Sequence, residues 1–232
     1  MATKLWQMLF VVKQNQIRMM QARGYTVPDA VLLDYTFEQF ETYYKGALEA
    51  ARAQGETAID LFDVLNSEFT EPKTCLVWYT PQQKNDVPVE DIRALVEYMT
   101  DEKGAVRQYK ELVIISYGRI TTKNQQVLSE LGSYVQHFMY KELKYNPTQH
   151  VFAVPHRRLG KKETLQLLRR LGVPPQQLPT IWDTDPIVKY YGFRPNSIIE
   201  CSRSSVITFT PTTSLFYRRV VVAPLDQLDA KK

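Results

Sequence analysis

The chain has little cysteine. Its two cysteines, Cys75 and Cys201, each lie inside an apolar, strand-like run, and no Cys-x-x-Cys pair is present. The three histidines form no cluster beside either thiol. Because disulfide frameworks and zinc sites need such groupings, the sequence predicts neither and favours a reducing compartment.

Long apolar runs are also lacking. The longest ones, such as residues 75–79 and 112–116, are far shorter than the roughly 20 residues that cross a bilayer. The first residues carry Lys4 and an apolar stretch interrupted by Gln7, without a small-residue cleavage site, so they do not predict a signal peptide. We therefore expect a soluble, intracellular protein with no membrane partner.

Acidic residues are absent before Asp29, and the net charge is +4. The basic residues of this first stretch are Lys4, Lys13, Arg18 and Arg23. A second basic cluster, interrupted only by Glu163, comprises His156, Arg157, Arg158, Lys161, Lys162, Arg169 and Arg170. Such surfaces attract phosphates in a salt-sensitive way without reading sequence; a solvated helix face is the alternative explanation of the charge alone.

Hydrophobic periodicity in the first half predicts alternating helices and strands. An apolar face from Leu5 to Met20 predicts a helix ending at Gly24, and Thr36 with Gln39 forms a capping-box pattern that opens a second helix. Strands are predicted over residues 74–80 and 111–116. Further helices are predicted from Pro88, as first helical residue, and over residues 121–131. This alternation indicates an α/β domain.

The second half predicts a small α+β module after a boundary near residues 143–150. A strand over residues 150–154 precedes a basic amphipathic helix over residues 161–171, which Gly172 ends. Its inward side chains are predicted to be Leu165, Leu168 and Leu171. Three β-rich runs follow, over residues 197–201, 206–210 and 215–222.

The segment of residues 177–193 combines two prolines, a helix cap and a helix stop. Asp185 fits an N-cap, Pro186 the first helical position, and Gly192 the end of a short helix. Asp183 and Asp185 imitate a magnesium-binding pair, but no third acid and no glycine-rich phosphate loop lies nearby. The 177–193 segment therefore predicts a rigid docking element, with no catalytic residue, metal or cofactor.

Residues 141–222 resemble the C-terminal assembly domain of RNA polymerase subunit five, a family with both eukaryotic and archaeal members. The matching residues are Glu142, Leu143, Pro147, His150, Leu167, Leu168, Gln177, Leu178, Pro179, Ile181, Asp185, Pro186, Tyr190, Gly192 and Phe193, with Tyr217 and Arg218 as the family's Tyr-Arg strand. The N-terminal half is similar to the family's eukaryotic jaw domain through Leu5, Trp6, Val12, Lys13, Arg23, Gly24 and Tyr25. Because archaeal members lack the jaw, the resemblance implies a eukaryotic or eukaryotic-virus source.

The resemblance implies a fold, a function and partners. Residues 1–142 would form an α/β jaw domain with restriction-endonuclease-like topology, and residues 143–232 a small α+β assembly domain. The protein would be a non-catalytic subunit of a nuclear DNA-dependent RNA polymerase, and so no enzyme itself. It would anchor on the largest subunit, beside a small shared subunit, and contribute to the lower jaw over downstream duplex DNA in transcription.

Candidate site residues follow from the charge pattern and from the resemblance. The candidates for non-specific DNA contact are Lys4, Lys13, Arg18 and Arg23. The resemblance implies a docking set for neighbouring subunits, which comprises Leu178, Pro179, Asp185, Pro186, Tyr190, Gly192, Arg194, Arg203, Tyr217 and Arg218.

The family pattern breaks just after the 177–193 segment. Where the family has Lys-Arg-Gly-Gln-Val-Val, residues 194–199 read Arg-Pro-Asn-Ser-Ile-Ile, so that a turn glycine is lost. The family's next surface run is replaced by Arg203, two serines and a longer stretch over residues 206–214. These departures leave open a paralogue restricted to one polymerase class, such as the ribosomal RNA polymerase of the nucleolus.

Two other functions stay open at this point. Pro28, Asp29, Glu71 and Lys73 loosely imitate the acid, acid, lysine order of magnesium-dependent nucleases. The simpler explanation, which we favour, is that Pro28 and Asp29 start a helix while Glu71 and Lys73 flank Pro72 in a loop. A free-standing interaction scaffold that keeps the fold without the polymerase is the second alternative.

Overall fold

The computed structural model describes residues 2–53, 65–69, 74–80, 84–100, 109–203 and 214–224. The chain divides into two compact units, Met1–Tyr145 and Asn146–Lys232. Among the described residues, no helix combines the length and the hydrophobicity needed to cross a membrane. The predicted mixture of α and β structure is confirmed, and each unit carries its own four-stranded sheet.

The first unit opens with two long helices. Helix α1 covers Ala2–Ala22, and the predicted stop, Gly24, follows two residues later. Gly24 has a φ of 86°, which residues with a side chain disfavour. Helix α2 covers Phe37–Ala53 and begins with the predicted capping box, in which the Thr36 amide donates to Gln39 Oε1 (2.8 Å) and the Gln39 amide to Thr36 Oγ1 (3.3 Å). A 3-10 helix, Pro28–Leu33, lies between them, as the favoured explanation of Pro28 and Asp29 requires.

The sheet of the first unit has the strand order β1-β2-β3-β4. These strands are Ser67–Phe69, Cys75–Tyr79, Glu111–Ser116 and Tyr134–Met139. Strand β1 is antiparallel to β2, whereas β2, β3 and β4 are parallel. Helix α3 (Val89–Met99) and helix α4 (Thr122–Ser129) follow β2 and β3, and their apolar faces share one core with Leu76, Leu112 and Ile114. A short helix α5 (Tyr140–Leu143) follows β4.

The predictions for this unit miss three elements and misplace one residue. Strands β1 and β4 and helix α5 were not predicted, because each is short or mixes polar with apolar residues. In β4 the buried positions alternate through Gln136 and Phe138, so half of the strand's inward face is polar in sequence. Pro88 is the residue before helix α3, with an extended backbone, and not its first helical residue.

The second unit places a four-stranded sheet between two helices. Its elements are β5 (His156–Arg158), α6 (Lys161–Leu171), β6 (Thr180–Trp182), α7 (Pro186–Tyr191), β7 (Ile198–Arg203) and β8 (Ser214–Val221), and the strand order is β5-β7-β8-β6. Ile198 packs with Leu167 of α6, whereas Ile199 packs with Val188 of α7. Because successive strand residues point to opposite faces, α6 and α7 cover the two faces of this sheet.

Several predictions for the second unit are confirmed, one predicted strand is wrong, and another lies outside the described residues. Helix α6 and strands β7 and β8 lie where the periodicity predicts them. The predicted strand over residues 150–154 is a turn closed by the Ala153 amide and His150 carbonyl (2.8 Å), and the strand comes later, as β5. The predicted run over residues 206–210 lies outside the described residues.

The inward face of α6 is also different from the prediction. Leu167 is buried and Leu168 half-buried, whereas Leu165 and Leu171 are exposed. Leu165, Leu168 and Leu171 are three residues apart, but they do not all face the sheet. The side of α6 that packs on the sheet is centred on Leu167. Leu165 therefore lies on the outer surface among basic side chains.

Candidate subunit-docking site

The 177–193 segment folds into a capped turn of helix. Asp185 Oδ1 accepts hydrogen bonds from the amides of Ile187 (2.9 Å) and Val188 (3.3 Å), and Pro186 occupies the first turn of α7. Gly192 ends the helix in the left-handed conformation, with a φ of 64°. The cap, the proline and the glycine stop predicted from the sequence are thus confirmed, and they fix both ends of a six-residue helix.

The second acid of this segment also binds backbone. Asp183 Oδ1 accepts a hydrogen bond from the Ala223 amide (2.9 Å), while the Asp183 amide donates to the Val221 carbonyl (2.9 Å). These bonds tie the loop before α7 to the end of β8. In the part of the chain that the structure describes, no group of three His, Cys, Asp or Glu side chains is placed to hold a metal ion.

Two of the predicted docking residues, Leu178 and Tyr190, are buried inside the second unit itself. Leu178 packs with Leu159 and Leu167, and Tyr190 accepts a hydrogen bond from Asn146 Nδ2 (3.4 Å). These two side chains therefore shape the surface from within and do not present themselves to a partner. Pro179 and Pro186 are exposed, and the Pro179 carbonyl accepts a hydrogen bond from the Arg219 amide (2.8 Å).

Exposed apolar side chains that the sequence reasoning missed lie at both ends of β8. Trp182 is 41% exposed beside Val221, its partner across the β6–β8 pair, and Val222 is 66% exposed. At the other end, Leu215 and Phe216 are exposed. Large exposed apolar groups mark interaction surfaces, and tryptophan is enriched at the energetic centre of interfaces. We call Trp182 and Val222 the β6–β8 patch.

Three further predicted docking residues lie on β7 and β8, and Arg194 lies in the loop before β7. The Arg203 guanidinium stacks over the Phe216 ring, with its Cζ 4.5 Å from the ring centre. Tyr217 packs against the α6 core and accepts a long hydrogen bond from Arg170 (3.5 Å). Arg218 pairs with Ile199 across the β7–β8 ladder, and Arg194 is half-buried just after α7.

The turn after α7 keeps a glycine-like backbone without a glycine. Asn196 has a φ of 66° and is the one non-glycine residue with positive φ among the described residues. Asparagine tolerates this left-handed conformation better than other residues with side chains. Arg219 Nη1 donates to Asn196 Oδ1 (3.2 Å), and the Asn196 amide donates to the Val220 carbonyl (2.8 Å). The lost family glycine is therefore replaced by the residue best able to hold the same turn.

We expect Asn196→Ala to lower the free energy of unfolding by about 1 to 2 kcal/mol, because a Cβ in the left-handed region costs about that much. Asn196→Gly should change it by less than about 0.5 kcal/mol, since glycine adopts the conformation freely but loses the bond from Arg219. Urea denaturation of the three proteins measures both. Equal destabilisation by alanine and glycine would show that the side chain's hydrogen bond, and not the backbone conformation, sets the requirement.

Two of the four candidates for DNA contact are placed wrongly by the sequence reasoning. Lys13 is fully buried, and its Nζ donates to the Leu65 carbonyl (2.9 Å) and to Ser67 Oγ (3.0 Å) and pairs with Asp29 Oδ2 (3.1 Å). Burial lowers the pKa of the Lys13 ammonium, and the neighbouring Asp29 opposes this shift. Lys13 is thus a structural ion-pair residue and cannot reach a phosphate.

Arg23 is also directed inward. Its guanidinium lies over the Phe138 ring (5.9 Å from Cζ to the ring centre) and its Nη2 is 3.5 Å from Met19 Sδ. Burial lowers the pKa of Arg23 as well. Lys4 is exposed, and Arg18 is half-buried with Nη1 donating to Asn15 Oδ1 (3.2 Å). Lys4 and Arg18 therefore remain as the candidates for phosphate contact.

Asp29, the first acid of the nuclease-like pattern, is the residue that pairs with Lys13. Asp29 Oδ2 accepts a hydrogen bond from Ser67 (3.0 Å) in addition to its pairing with Lys13. The oxygen that would bind magnesium already has two partners that hold the 3-10 helix against α1 and β1. Glu71 and Lys73, the other members of the pattern, lie outside the described residues.

Comparisons with known proteins give the same family at two levels. A family model described as "RNA polymerase Rpb5, C-terminal domain" matches residues 145–220. "DNA-directed RNA polymerase subunit Rpo5" of Archaeoglobus fulgidus is 38% identical over 79 residues, which are 34% of this chain and 100% of that relative. "DNA-directed RNA polymerases I, II, and III subunit RPABC1" of Caenorhabditis briggsae is 24% identical over 220 residues, 94% of this chain and 96% of the relative.

A plant relative is named for one polymerase class. "DNA-directed RNA polymerase V subunit 5A" of Arabidopsis thaliana is 22% identical over 199 residues, 86% of this chain and 83% of the relative.

The two units, the capped segment and these matches define the class of protein as an RNA polymerase subunit. Within that class, the chain belongs to the Rpb5 family, whose archaeal members are named Rpo5. The resemblance found from the residues of the 177–193 segment is therefore confirmed.

Proposed function

We propose that the protein is a non-catalytic subunit of a nuclear, DNA-dependent RNA polymerase of a eukaryote. The observation that carries the proposal is the alignment with the Caenorhabditis briggsae subunit, which runs through both units and covers 96% of that relative. An archaeal Rpo5 aligns over only 34% of this chain, so both the short and the long forms of the family have their counterpart in it. Nuclear localisation and a role in transcription follow from such a subunit.

In this proposal the second unit anchors on the largest polymerase subunit, beside a small shared subunit. The physical support is the 177–193 segment, which is fixed at both ends and needs little ordering when it binds. The adjacent β6–β8 patch offers an exposed tryptophan and valine that a partner would bury. Arg194, Arg203 and Arg218 lie around the same sheet and would supply its polar contacts.

The first unit would form part of the lower jaw over downstream duplex DNA. Its parallel β2-β3-β4 arrangement with helices α3 and α4 is compatible with a restriction-endonuclease-like jaw domain. Lys4 and Arg18 would contribute backbone contacts that carry no sequence information. Because Asp29 is engaged by Lys13 and Ser67, a jaw function fits this unit better than magnesium-dependent cleavage.

The anchoring role predicts an assembly defect when the cap of α7 is removed. Asp185→Ala with Pro186→Ala should weaken co-purification of the polymerase with the tagged protein, since the cap alone stabilises the segment by about 1 kcal/mol. The matched control is Thr121→Ala, which removes the N-cap of α4 in the first unit, where Thr121 Oγ1 accepts from the Asn124 amide (3.4 Å). The measurement is the recovery of the largest subunit relative to the tagged chain.

We expect the control to retain the largest subunit at the wild-type ratio and the Asp185 and Pro186 variant to lose most of it. Full retention by the double variant would remove the 177–193 segment from the docking role. Equal losses by both proteins would assign the defect to general stability.

A second candidate is a subunit that serves one polymerase class only. The observation that favours it is the departure from the family over residues 194–199 and beyond Arg203, next to the best-matched segment. The Arabidopsis relative carries the name of polymerase V alone, which is the kind of name such a subunit would have. Identification of the co-purified largest subunit by mass spectrometry decides: one class supports this candidate, with the nucleolus as the compartment if that class makes ribosomal RNA, and several classes exclude it.

A further inference from the structure

Helix α6 of the second unit presents a basic surface that the proposed anchoring role does not use. Its exposed cations are Lys161, Lys162, Arg169 and Arg170. At 100° per residue, Lys162 and Arg169 lie within about 20° of each other around the helix axis, and Lys161 and Arg170 lie on either side of them. Lys162 and Arg169 thus lie on the side of α6 turned away from Leu167, which faces the sheet, whereas Arg170 lies closer to the sheet and donates to Tyr217 (3.5 Å). We call this surface the α6 basic arc.

The one acid of the helix does not neutralise this arc. Glu163 accepts hydrogen bonds from the Gly160 amide (2.7 Å) and from Arg157 Nη1 (2.7 Å), and Arg157 in turn pairs with Glu200 (3.3 Å). The Gly160 amide, followed by Arg157, lowers the pKa of the Glu163 carboxyl. Glu163 is therefore held ionised at the edge of the helix that faces β5 and β7, away from Lys162 and Arg169.

Helix stability does not explain the placement of the lysines. Lys161 and Lys162 are the first two residues of α6, where the helix dipole disfavours positive charge by a few tenths of a kcal/mol or more. Arg169 and Arg170 lie in the last turn, where the same dipole favours them. Two adjacent cations in the unfavourable turn are thus a cost to folding, and a bound anion would offset it.

The chemistry of the arc selects one kind of anion. Lys161, Lys162, Arg169 and Arg170 are spread over a helix about 16 Å long, which spans about five base pairs of a duplex. No aromatic side chain lies on α6, so the arc offers no platform on which unpaired bases could stack. Leu165 is the single exposed leucine between the cations, too little to bind the apolar face of an acidic helix. We propose that the α6 basic arc binds the phosphate backbone of duplex nucleic acid without reading its sequence.

The test is the salt dependence of duplex binding by the full-length protein. A labelled 20-base-pair duplex of arbitrary sequence is titrated by fluorescence anisotropy over a series of KCl concentrations. Each phosphate contact contributes about 0.9 to the slope of log K against log salt, so Lys162→Gln with Arg169→Gln should reduce the slope by about 2 and weaken binding by more than about tenfold near 0.1 M salt. The melting temperature of the variant should not fall, because both side chains are exposed.

The matched control removes the same charge elsewhere. Lys123 is exposed in the first turn of α4 and Lys144 is exposed after α5, so Lys123→Gln with Lys144→Gln should keep the wild-type slope. Equal slopes for the α6 variant and the wild type, or equal losses in the α6 variant and the control, would overturn the proposal. So would binding of poly-glutamate by the wild type with no measurable binding of the duplex, since the occupant would then be an acidic protein.

Two further variants keep this site separate from the proposed jaw contacts. Lys4→Gln with Arg18→Gln should lower the slope of log K against log salt. When these changes are combined with the α6 variant, the α6 substitutions should reduce the slope by the same amount as they do in the wild type. Lys161→Gln with Lys162→Gln should raise the melting temperature, because the dipole no longer opposes the charge, and should lower the slope by about 2. A lower melting temperature together with an unchanged slope would assign these lysines to folding. Polymerase co-purification is expected to be wild-type in every α6 variant, so failure of this proposal leaves the subunit assignment intact.

Discussion

Asp29→Ala is expected to lower the free energy of unfolding by about 3 to 5 kcal/mol, the usual loss when one partner of a buried ion pair is removed. The change leaves the Lys13 ammonium fully buried without its counter-ion. Among the described residues, Lys13 would retain the Leu65 carbonyl and the Ser67 hydroxyl as polar partners, at 2.9 and 3.0 Å. Urea denaturation of the full-length protein measures the loss.

The opposite substitution should cost much less. Lys13→Met keeps the side-chain volume and removes the charge, and the Asp29 side chain it leaves behind is 34% exposed and can stay hydrated. Combining Lys13→Met with Asp29→Ala should recover most of the loss caused by Asp29→Ala alone, which a double-mutant cycle detects. Equal losses from the two single changes would contradict the burial that the structure assigns to Lys13.

The pH dependence of Asp29→Ala gives an independent check. Without Asp29 the pKa of buried Lys13 falls further below the value near 10.5 of an unfolded lysine. Between those two pKa values the unfolded chain binds more protons than the folded one, so the stability of the variant should rise as the pH increases towards about 10. Above about pH 10 the buried tyrosines Tyr25, Tyr44 and Tyr79, whose pKa values are raised by burial, give the opposite trend.

This result also separates the structural role of Asp29 from the nuclease alternative. A magnesium ligand can be replaced with loss of cleavage and little loss of stability, whereas the acid of a buried ion pair cannot. A stable Asp29→Ala protein that has lost a magnesium-dependent cleavage activity of the wild type would reverse the assignment.

Gly118→Ala is expected to destabilise the first unit by about 3 kcal/mol or more, because the added methyl group would clash with backbone atoms that cannot easily move. A Cβ at Gly118 would lie 2.2 Å from the Lys84 carbonyl oxygen and 2.3 Å from that of Asn85. The Asn85 carbonyl also accepts a hydrogen bond from the Arg119 amide (2.8 Å). The segments around Asn85 and Gly118 therefore cannot move apart without breaking this bond. Thermal or urea unfolding measures the effect.

The matched control for Gly118 is Gly46, which lies in helix α2 with nothing within 4 Å of an added Cβ. Gly46→Ala should stabilise the protein by about 0.5 to 1 kcal/mol, because alanine loses less backbone entropy in a helix. A harmless Gly118→Ala would mean that the approach of residues 84 and 85 to Gly118 is looser than the structure shows.

Local signals predict the second unit well. Helix α7 follows from Asp185, Pro186 and Gly192, three residues whose roles are set by backbone chemistry within one turn. Helix α6 likewise ends at Gly172, which has a φ of 65°. Because caps and stops act over neighbouring residues, they can be found from sequence without knowing the rest of the fold.

Contacts between distant residues could not be predicted in this way. Lys13 belongs to a basic stretch in sequence, and only the approach of Asp29, Leu65 and Ser67 makes it an ion-pair residue. Strand β6 has three residues and exists because it pairs with β8. The exposure of Leu165 depends on which face of α6 packs against the sheet. Each of these features is determined by packing between residues far apart in sequence, which local pattern and propensity do not predict.

The family and the candidate site follow the same division. The residues that identify the family, such as Leu178 and Tyr190, are largely those that shape the second unit from inside. Trp182 and Val222, the side chains proposed to contact a partner, have no special sequence signature, and their exposure is known only once β6 and β8 are paired. Packing residues therefore identify this subunit more readily than its contact residues do.

Quantified affinity purification of the tagged full-length protein from nuclear extract tests the central claim most directly. We predict that a largest RNA polymerase subunit is recovered in the polymerase fraction at a molar amount equal to that of the tagged chain, and that it is retained through high-salt washing. Such retention is expected because the proposed contacts of the β6–β8 patch are apolar, and salt does not screen apolar contacts. Recovery of the tagged protein free of any largest polymerase subunit would contradict the claim.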